Sequence, residues 1–76
     1  MFVLIGKADC KWCVRAKELL EREEEPYECF SYSHDPVLKD FLIANELTTV
    51  PQIWYNGRYI GGCNELEDYL KENTNG

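Results

Sequence analysis

The sequence predicts an α/β fold: a four-stranded mixed sheet flanked by three helices, in the order β-α-β-α-β-β-α. Three observations predict it. An apolar run, an amphipathic stretch and a second β-rich run succeed one another between Phe2 and Tyr32, and a β-α-β unit places two parallel strands side by side through a right-handed crossover. Asn56-Gly57 separates two further β-rich runs, the turn a two-residue hairpin prefers because both residues accept positive φ. Helical patterns recur after the second strand and after the hairpin, which supplies cover for both faces of the sheet. With 76 residues, one domain spanning 1–76 is expected.

The elements follow in order. Phe2 to Ile5 is a continuous apolar run, as in a strand covered on both faces. Gly6-Lys7-Ala8-Asp9 breaks it. From Cys13 to about Glu24, Ala16, Leu19 and Leu20 form an apolar stripe while Arg15, Lys17, Glu18, Glu21 and Arg22 face water; Pro26 stops this helix. Tyr27 to Tyr32 is a second strand, rich in aromatics. Asp35 suits an N-cap and Pro36 a first helical position, so a second helix runs from Pro36 to about Asn45, with Val37, Leu38, Phe41, Leu42 and Ala44 as its apolar face. Asn64 to Lys71 is the third helix, with Asn64 and Glu67 spaced as a capping box and Leu66, Tyr69 and Leu70 on one face. Residues 72–76 are expected to fray.

Composition narrows the function. Fourteen acidic residues against eight basic give a net charge of −6, which speaks against nucleic acid and against an anionic membrane surface as partners. A local basic spot is compatible with that total. The opening Met1–Gly6 holds a strand's worth of apolar residues, too few for a signal peptide core or a membrane span. Cys10, Cys13, Cys29 and Cys63 are therefore expected in a reducing compartment, the cytoplasm, where structural disulfides are rare.

Cys10-Lys11-Trp12-Cys13 falls between the first strand and the first helix. The unpaired N–H groups and the dipole of a helix start favour an anion, and Lys7 and Lys11 add positive charge. These features favour thiolate over thiol and predict a lowered pKa for at least one of the pair. Cys10, nearest the helix end and most exposed, is expected to attack; Cys13, one turn in, to resolve. Zinc ligation is the competing reading. It wants four ligands, whereas this chain has one Cys-x-x-Cys and only scattered Cys29, Cys63 and His34. No metal is expected.

"CKWC" (Cys10–Cys13), "TVP" (Thr49–Pro51) and "GGCNEL" (Gly61–Leu66), in this order and spacing, resemble the glutaredoxins of the thioredoxin-fold superfamily. The likeness runs from Phe2 to Leu70 and implies a thioredoxin-like fold. It also implies a dithiol, glutathione-dependent thiol–disulfide oxidoreductase with Cys10 and Cys13 as its redox pair. Substrates would be protein disulfides and glutathione mixed disulfides, with ribonucleotide reductase a candidate acceptor by family analogy. In similar proteins Pro51 is cis, which would leave the backbone of Val50 to pair with a bound peptide. By the same resemblance Thr49, Val50 and Pro51 contact glutathione. Gly62 lets the backbone approach it, and the N–H groups of Cys63 and Asn64 bind its γ-glutamyl α-carboxylate. Lys7 attracts its glycyl carboxylate, and Trp12 packs on it. A monomer is expected.

The chain departs from the family in two places. Asn64 stands where an aspartate is common, with Glu65 as a candidate replacement for the missing charge, and Lys11 replaces a frequent proline. Iron–sulfur cluster carriage is one alternative, disfavoured by bulky Lys11 and Trp12 and by competition from Cys13. A redoxin served by thioredoxin reductase, or a zinc-stabilised binding module, is another. Elsewhere, His34 is expected in a solvated loop, Cys29 as a small buried residue and Cys63 packed near the groove. Glu21–Glu25 is expected as a solvated acidic helix end, and Trp54 and the tyrosines as packing groups.

Overall fold

In the computed structural model, residues 1–74 are described. The elements are β1 (Phe2–Gly6), α1 (Lys11–Arg22), β2 (Tyr27–Ser31), α2 (Pro36–Ala44), β3 (Gln52–Tyr55), β4 (Arg58–Gly61) and α3 (Cys63–Thr74). The sheet order is β2-β1-β3-β4. β1 lies parallel to β2, with Leu4 opposite Cys29, and antiparallel to β3, with Leu4 opposite Ile53. β3 and β4 form the hairpin, with a bulge between Ile53 and Trp54. Asn56 and Gly57 take positive φ, 50° and 84°, as the turn requires.

The core lies on one face of the sheet. Phe2, Leu4 and Ile53 meet Ala16, Leu19 and Leu20 of α1 and Leu66 and Leu70 of α3. The three-to-four-residue spacing of these helix positions explains the arrangement: each helix turns one apolar stripe to the strands. Arg15 on α1 pairs with Glu67 on α3 at 3.5 Å, and Glu67 also meets Lys71 at 3.7 Å. Both pairs are solvent-exposed and contribute little.

The other face is thinly covered. Phe41 of α2 reaches Trp54, with ring centroids 5.9 Å apart, and Trp54 meets Tyr59 at 5.5 Å. Yet Leu42 is the buried residue of α2; Val37 is 70% exposed, Phe41 44%, and Ala44 is exposed as well. The broad apolar face read from the sequence is thus mostly in water. Nine residues are too few to lay a full stripe across the sheet, and the stripe meets it only at its C-terminal half.

Several boundaries and one burial differ from expectation. α1 begins at Lys11 because Cys10 itself is the cap, and ends at Arg22, where Glu24 turns to φ 56°. β2 ends at Ser31 and α2 at Ala44. α3 begins at Cys63, and its cap pair is Gly62 and Glu65 instead of Asn64 and Glu67: Glu65 Oε1 accepts from the Gly62 N–H at 2.7 Å, the backward half of a capping box. The helix continues through Thr74, past the Lys71 end expected; residues 75 and 76 of the tail expected to fray lie outside the described residues. Cys29 is exposed, not buried, because β2 is an edge strand beyond the cover of α1.

Candidate functional site

The site is assembled where β1, α1, the loop before β3 and the start of α3 converge. β1 delivers the chain to a short turn in which Asp9 takes φ 57°, and α1 starts immediately after. Cys10 occupies the cap position, and its Sγ accepts the Cys13 N–H at 3.2 Å. A sulfur in this position replaces the oxygen that usually caps a helix and sits in the positive end of the helix dipole. On its other side the Cys10 thiol lies 4.0 Å from the Val50 carbonyl oxygen, to which it donates.

Both cysteines are buried, Cys10 at 8% exposure and Cys13 at 4%. Cys10 is the more exposed of the two, in the order expected, although its neighbour Val50 and its own capping role leave it little open to solvent. Cys13 lies against β1 so closely that a Cβ on Gly6 would come within 2.7 Å of its Sγ. This is a close approach that only glycine allows. Burial, reinforced by the bond with Cys10 and only partly opposed by a backbone bond from Lys7, pushes the Cys13 thiol up to about 12. At neutral pH Cys13 therefore carries its proton. The Cys63 thiol is also pushed up, mainly by burial, with Arg15 pulling the other way.

Both cysteines line a cavity of about 590 Å³ together with Lys17, Cys29 and His34; two further cavities share Trp12, Thr49 and Val50, one of them reaching Cys10. The smaller, about 210 Å³, is lined by Trp12, Thr49, Val50, Pro51, Gly62, Cys63, Asn64 and Glu65. It gathers all the sequence-predicted ligand contacts except Lys7. The Val50–Pro51 peptide on its wall is cis, as the resemblance implied. Among the described residues, the N–H groups of Cys63 and Asn64 at the α3 N-terminus have no acceptor, while that of Gly62 is taken by Glu65. The larger cavity, about 640 Å³, joins Lys7, Cys10, Trp12, Thr49 and Val50 to Tyr32, Lys39, Leu42, Ile43 and Leu47.

Gln52 was missed in the sequence. It is 4% exposed, and its side-chain amide donates to the Thr49 carbonyl at 2.8 Å and to Thr49 Oγ1 at 3.2 Å. Its own oxygen accepts from Tyr59 Oη. Gln52 thereby ties the loop carrying Val50 to the sheet. A glutamine opening a strand gives no sign of this in sequence, since its partners are set by the fold. Lys39 was also missed; its place on the cavity depends on the angle at which α2 lies.

The remaining candidates lie away from the proposed ligand contacts, with His34 and Cys29 on the cavity that both cysteines line. His34 is exposed in the turn before α2, its N–H bonded to Ser31. Among the described residues, no group of three or more His, Cys, Asp or Glu is arranged to hold a metal ion, and no helix is long and apolar enough to cross a membrane.

Comparison with known proteins agrees with this geometry. The family model described as glutaredoxin matches residues 2–60. A glutaredoxin of Vibrio cholerae is 37% identical over 82 residues, covering 96% of this chain and 94% of that protein. Glutaredoxin 1 of Salmonella typhimurium is 33% identical over 81 residues, covering 96% and 93%. The solution structure of reduced Escherichia coli glutaredoxin superposes with a TM-score of 0.77 at 30% identity, covering 99% and 98%. Its fold is the thioredoxin-like arrangement described above.

Proposed function

This chain belongs to the glutaredoxin family and is a thiol–disulfide oxidoreductase; from that premise we propose that it draws its electrons from glutathione and spends them through Cys10 and Cys13. The observation that carries the reading is the Cys13 N–H directed at Cys10 Sγ beside the Val50 carbonyl. It singles out one sulfur of the pair for charge stabilisation and sets it next to a backbone on which a substrate strand can lie.

The chemistry then runs in two exchanges. The Cys10 thiolate attacks a substrate disulfide; the Cys10–substrate S–S bond forms, the substrate bond breaks, and the departing sulfur takes a proton. Cys13 then attacks Cys10 Sγ, loses its proton and releases the second substrate thiol. Glutathione reverses the cycle. One molecule opens the Cys10–Cys13 bond to form a mixed disulfide on Cys10, and a second removes it as glutathione disulfide. Cys13, protonated at neutral pH, must give up its proton as it attacks, and its place beside Cys10 supplies the proximity for that step.

The binding assignment follows the smaller cavity. Glutathione lies along Thr49, Val50 and Pro51, its γ-glutamyl carboxylate on the free N–H groups of Cys63 and Asn64, beside Gly62, and Trp12 against its apolar side. Lys7, lining the adjoining larger cavity, meets the glycyl carboxylate. Glu65 is held on Gly62, which suits it less to replace a missing aspartate than its charge suggests. We place the protein in the cytoplasm as a monomer, with ribonucleotide reductase among its electron acceptors by family analogy.

A coupled assay with glutathione, glutathione reductase and NADPH tests the reading. NADPH oxidation that requires glutathione and Cys10 supports it. Turnover supported by thioredoxin reductase alone, or undiminished in Cys10→Ser, overturns it.

A further inference from the structure

The larger cavity holds more than the proposed glutathione contacts use. Beyond Lys7 it extends past Lys39 and Tyr32 to Leu42, Ile43 and Leu47. Its charge is opposite to that of the whole protein. In a chain of net charge −6, Lys7, Lys11 and Lys39 all line this one cavity, with Asp9 its single acidic residue. Among the described residues, none of the three lysines has an acidic group within 4 Å. Two are set over aromatic rings: the Lys11 ammonium 5.4 Å from the Trp12 centroid and that of Lys39 5.9 Å from Tyr32. The smaller cavity, across Val50, has no lysine or arginine and one acid, Glu65.

We propose that the larger cavity is the docking groove for protein substrates, and that it selects polypeptides whose reactive cysteine is followed by acidic residues with apolar neighbours. The direction comes from pairing geometry. Thr48 lines the larger cavity alone, Thr49 and Val50 line both, and Pro51 lines the smaller alone, so the loop runs from the larger to the smaller. A substrate strand pairs with it antiparallel, the more stable arrangement, and so runs the opposite way. Residues before its cysteine then lie towards Glu65; residues after it enter the lysine-lined groove. Acidic side chains there meet three unpaired ammonium groups, and apolar ones reach Leu42, Ile43 and Leu47. Charge complementarity of this kind governs partner choice and encounter rate. The inference rests on the proposed pairing along Val50 and is independent of glutathione.

The test uses reduced protein with no glutathione present. The substrates are symmetric disulfides of short peptides with one cysteine and identical composition, two glutamates placed either after or before that cysteine. A third peptide carries serines in their place. In a single turnover, the peptide S–S bond breaks as the Cys10–Cys13 bond forms, and both released peptide sulfurs are protonated. Acid-quenched, alkylated samples report the rate by mass. Equal net charge in the two glutamate peptides cancels the repulsion from the protein as a whole. Peptides with glutamates after the cysteine are expected to react about tenfold faster than those with glutamates before it, at low salt. That ratio should shrink several-fold at 0.5 M salt, because exposed charges are screened. Lys11→Ala and Lys39→Ala should each lower it about two- to threefold, relative to the serine peptide in the same variant. Equal rates, a preference for glutamates before the cysteine, or a ratio untouched in the double variant would each overturn the inference. Glutathione turnover without charge preference defeats the docking groove alone, whereas charge preference without glutathione turnover defeats only the glutathione reading.

Discussion

The backbone N–H of Cys13 points at the Sγ of Cys10, 3.2 Å away, across the first turn of α1. The relationship is one-sided. Cys10 receives the field of the helix start, while Cys13 supplies a backbone donor and keeps its own sulfur against Gly6. The two cysteines therefore fail differently when replaced. Cys10→Ser is expected to lose at least a thousandfold in all activities. Cys13→Ser should keep most turnover of glutathione mixed disulfides and lose reduction of protein disulfides through the dithiol route. Parallel assays with a glutathionylated peptide and a disulfide-bonded protein check this; equal losses in both would contradict the assigned roles.

The Cys13 thiol also makes stability depend on pH. Its ordinary value is 9.0, and folding raises it to about 12. Between those values the folded state holds a proton that the unfolded state has released, so stability falls as pH rises through this window. Below pH 9.0 the contribution is fully present. Urea unfolding of the reduced protein should weaken from pH 8 to pH 10 more steeply than that of Cys13→Ser. Matching slopes would remove Cys13 as the cause.

Gly6 is the place where backbone and sulfur touch. An alanine there would set its Cβ 2.7 Å from Cys13 Sγ and 3.4 Å from its Cβ. Overpacking of this kind costs about 1–3 kcal/mol. Most of that loss should vanish in Gly6→Ala combined with Cys13→Ala, where the sulfur is absent. Thermal unfolding of the two single variants and the double variant closes the cycle; simple additivity would contradict the contact.

Gln52 joins Thr49 to Tyr59 through one buried amide. Replacing it with leucine removes its bonds to the Thr49 carbonyl and the Tyr59 hydroxyl, both on exposed residues that water can reach, at about 0.5–1.5 kcal/mol each. The loop carrying Val50 loses its tether in the same change. Gln52→Leu should therefore raise KM for peptide disulfides by several-fold, whereas Cys10 alkylation by iodoacetamide should change little. A variant with unaltered KM and melting temperature would show the tether to be idle.

Local chemistry was legible where neighbours in sequence decide the structure. Asn56-Gly57 dictated its hairpin, Asp35-Pro36 its helix start, and the Leu19–Leu20 stripe its buried face. Trp12, Thr49–Pro51 and Gly62–Asn64 could be expected at one place because their spacing matched a family pattern, and all of them line the smaller cavity, while Cys10 lines the larger and Cys13 neither. What could not be read depends on position in three dimensions. Cys29 looked like a buried residue because a strand's place at a sheet edge is not written in the strand. Asn64 and Glu67 fit a capping pattern in sequence, but the helix starts one residue earlier and the bond forms between Gly62 and Glu65. The apolar residues of α2 promised burial that a short helix on a twisted sheet does not deliver.

That last feature bears on how the protein accommodates partners. Local opening is easiest where few apolar groups are buried, and α2 buries Leu42 while leaving most of its apolar side in water. The same helix supplies Lys39, Leu42 and Ile43 to the large cavity, whereas the cysteine pair is anchored to β1 and α1. Amide hydrogens of α2 should thus exchange with solvent well ahead of those in β1. The Lys39-bearing wall of the large cavity and the two sulfurs are thus carried by elements of unequal anchorage, α2 on one buried side chain and α1 on four.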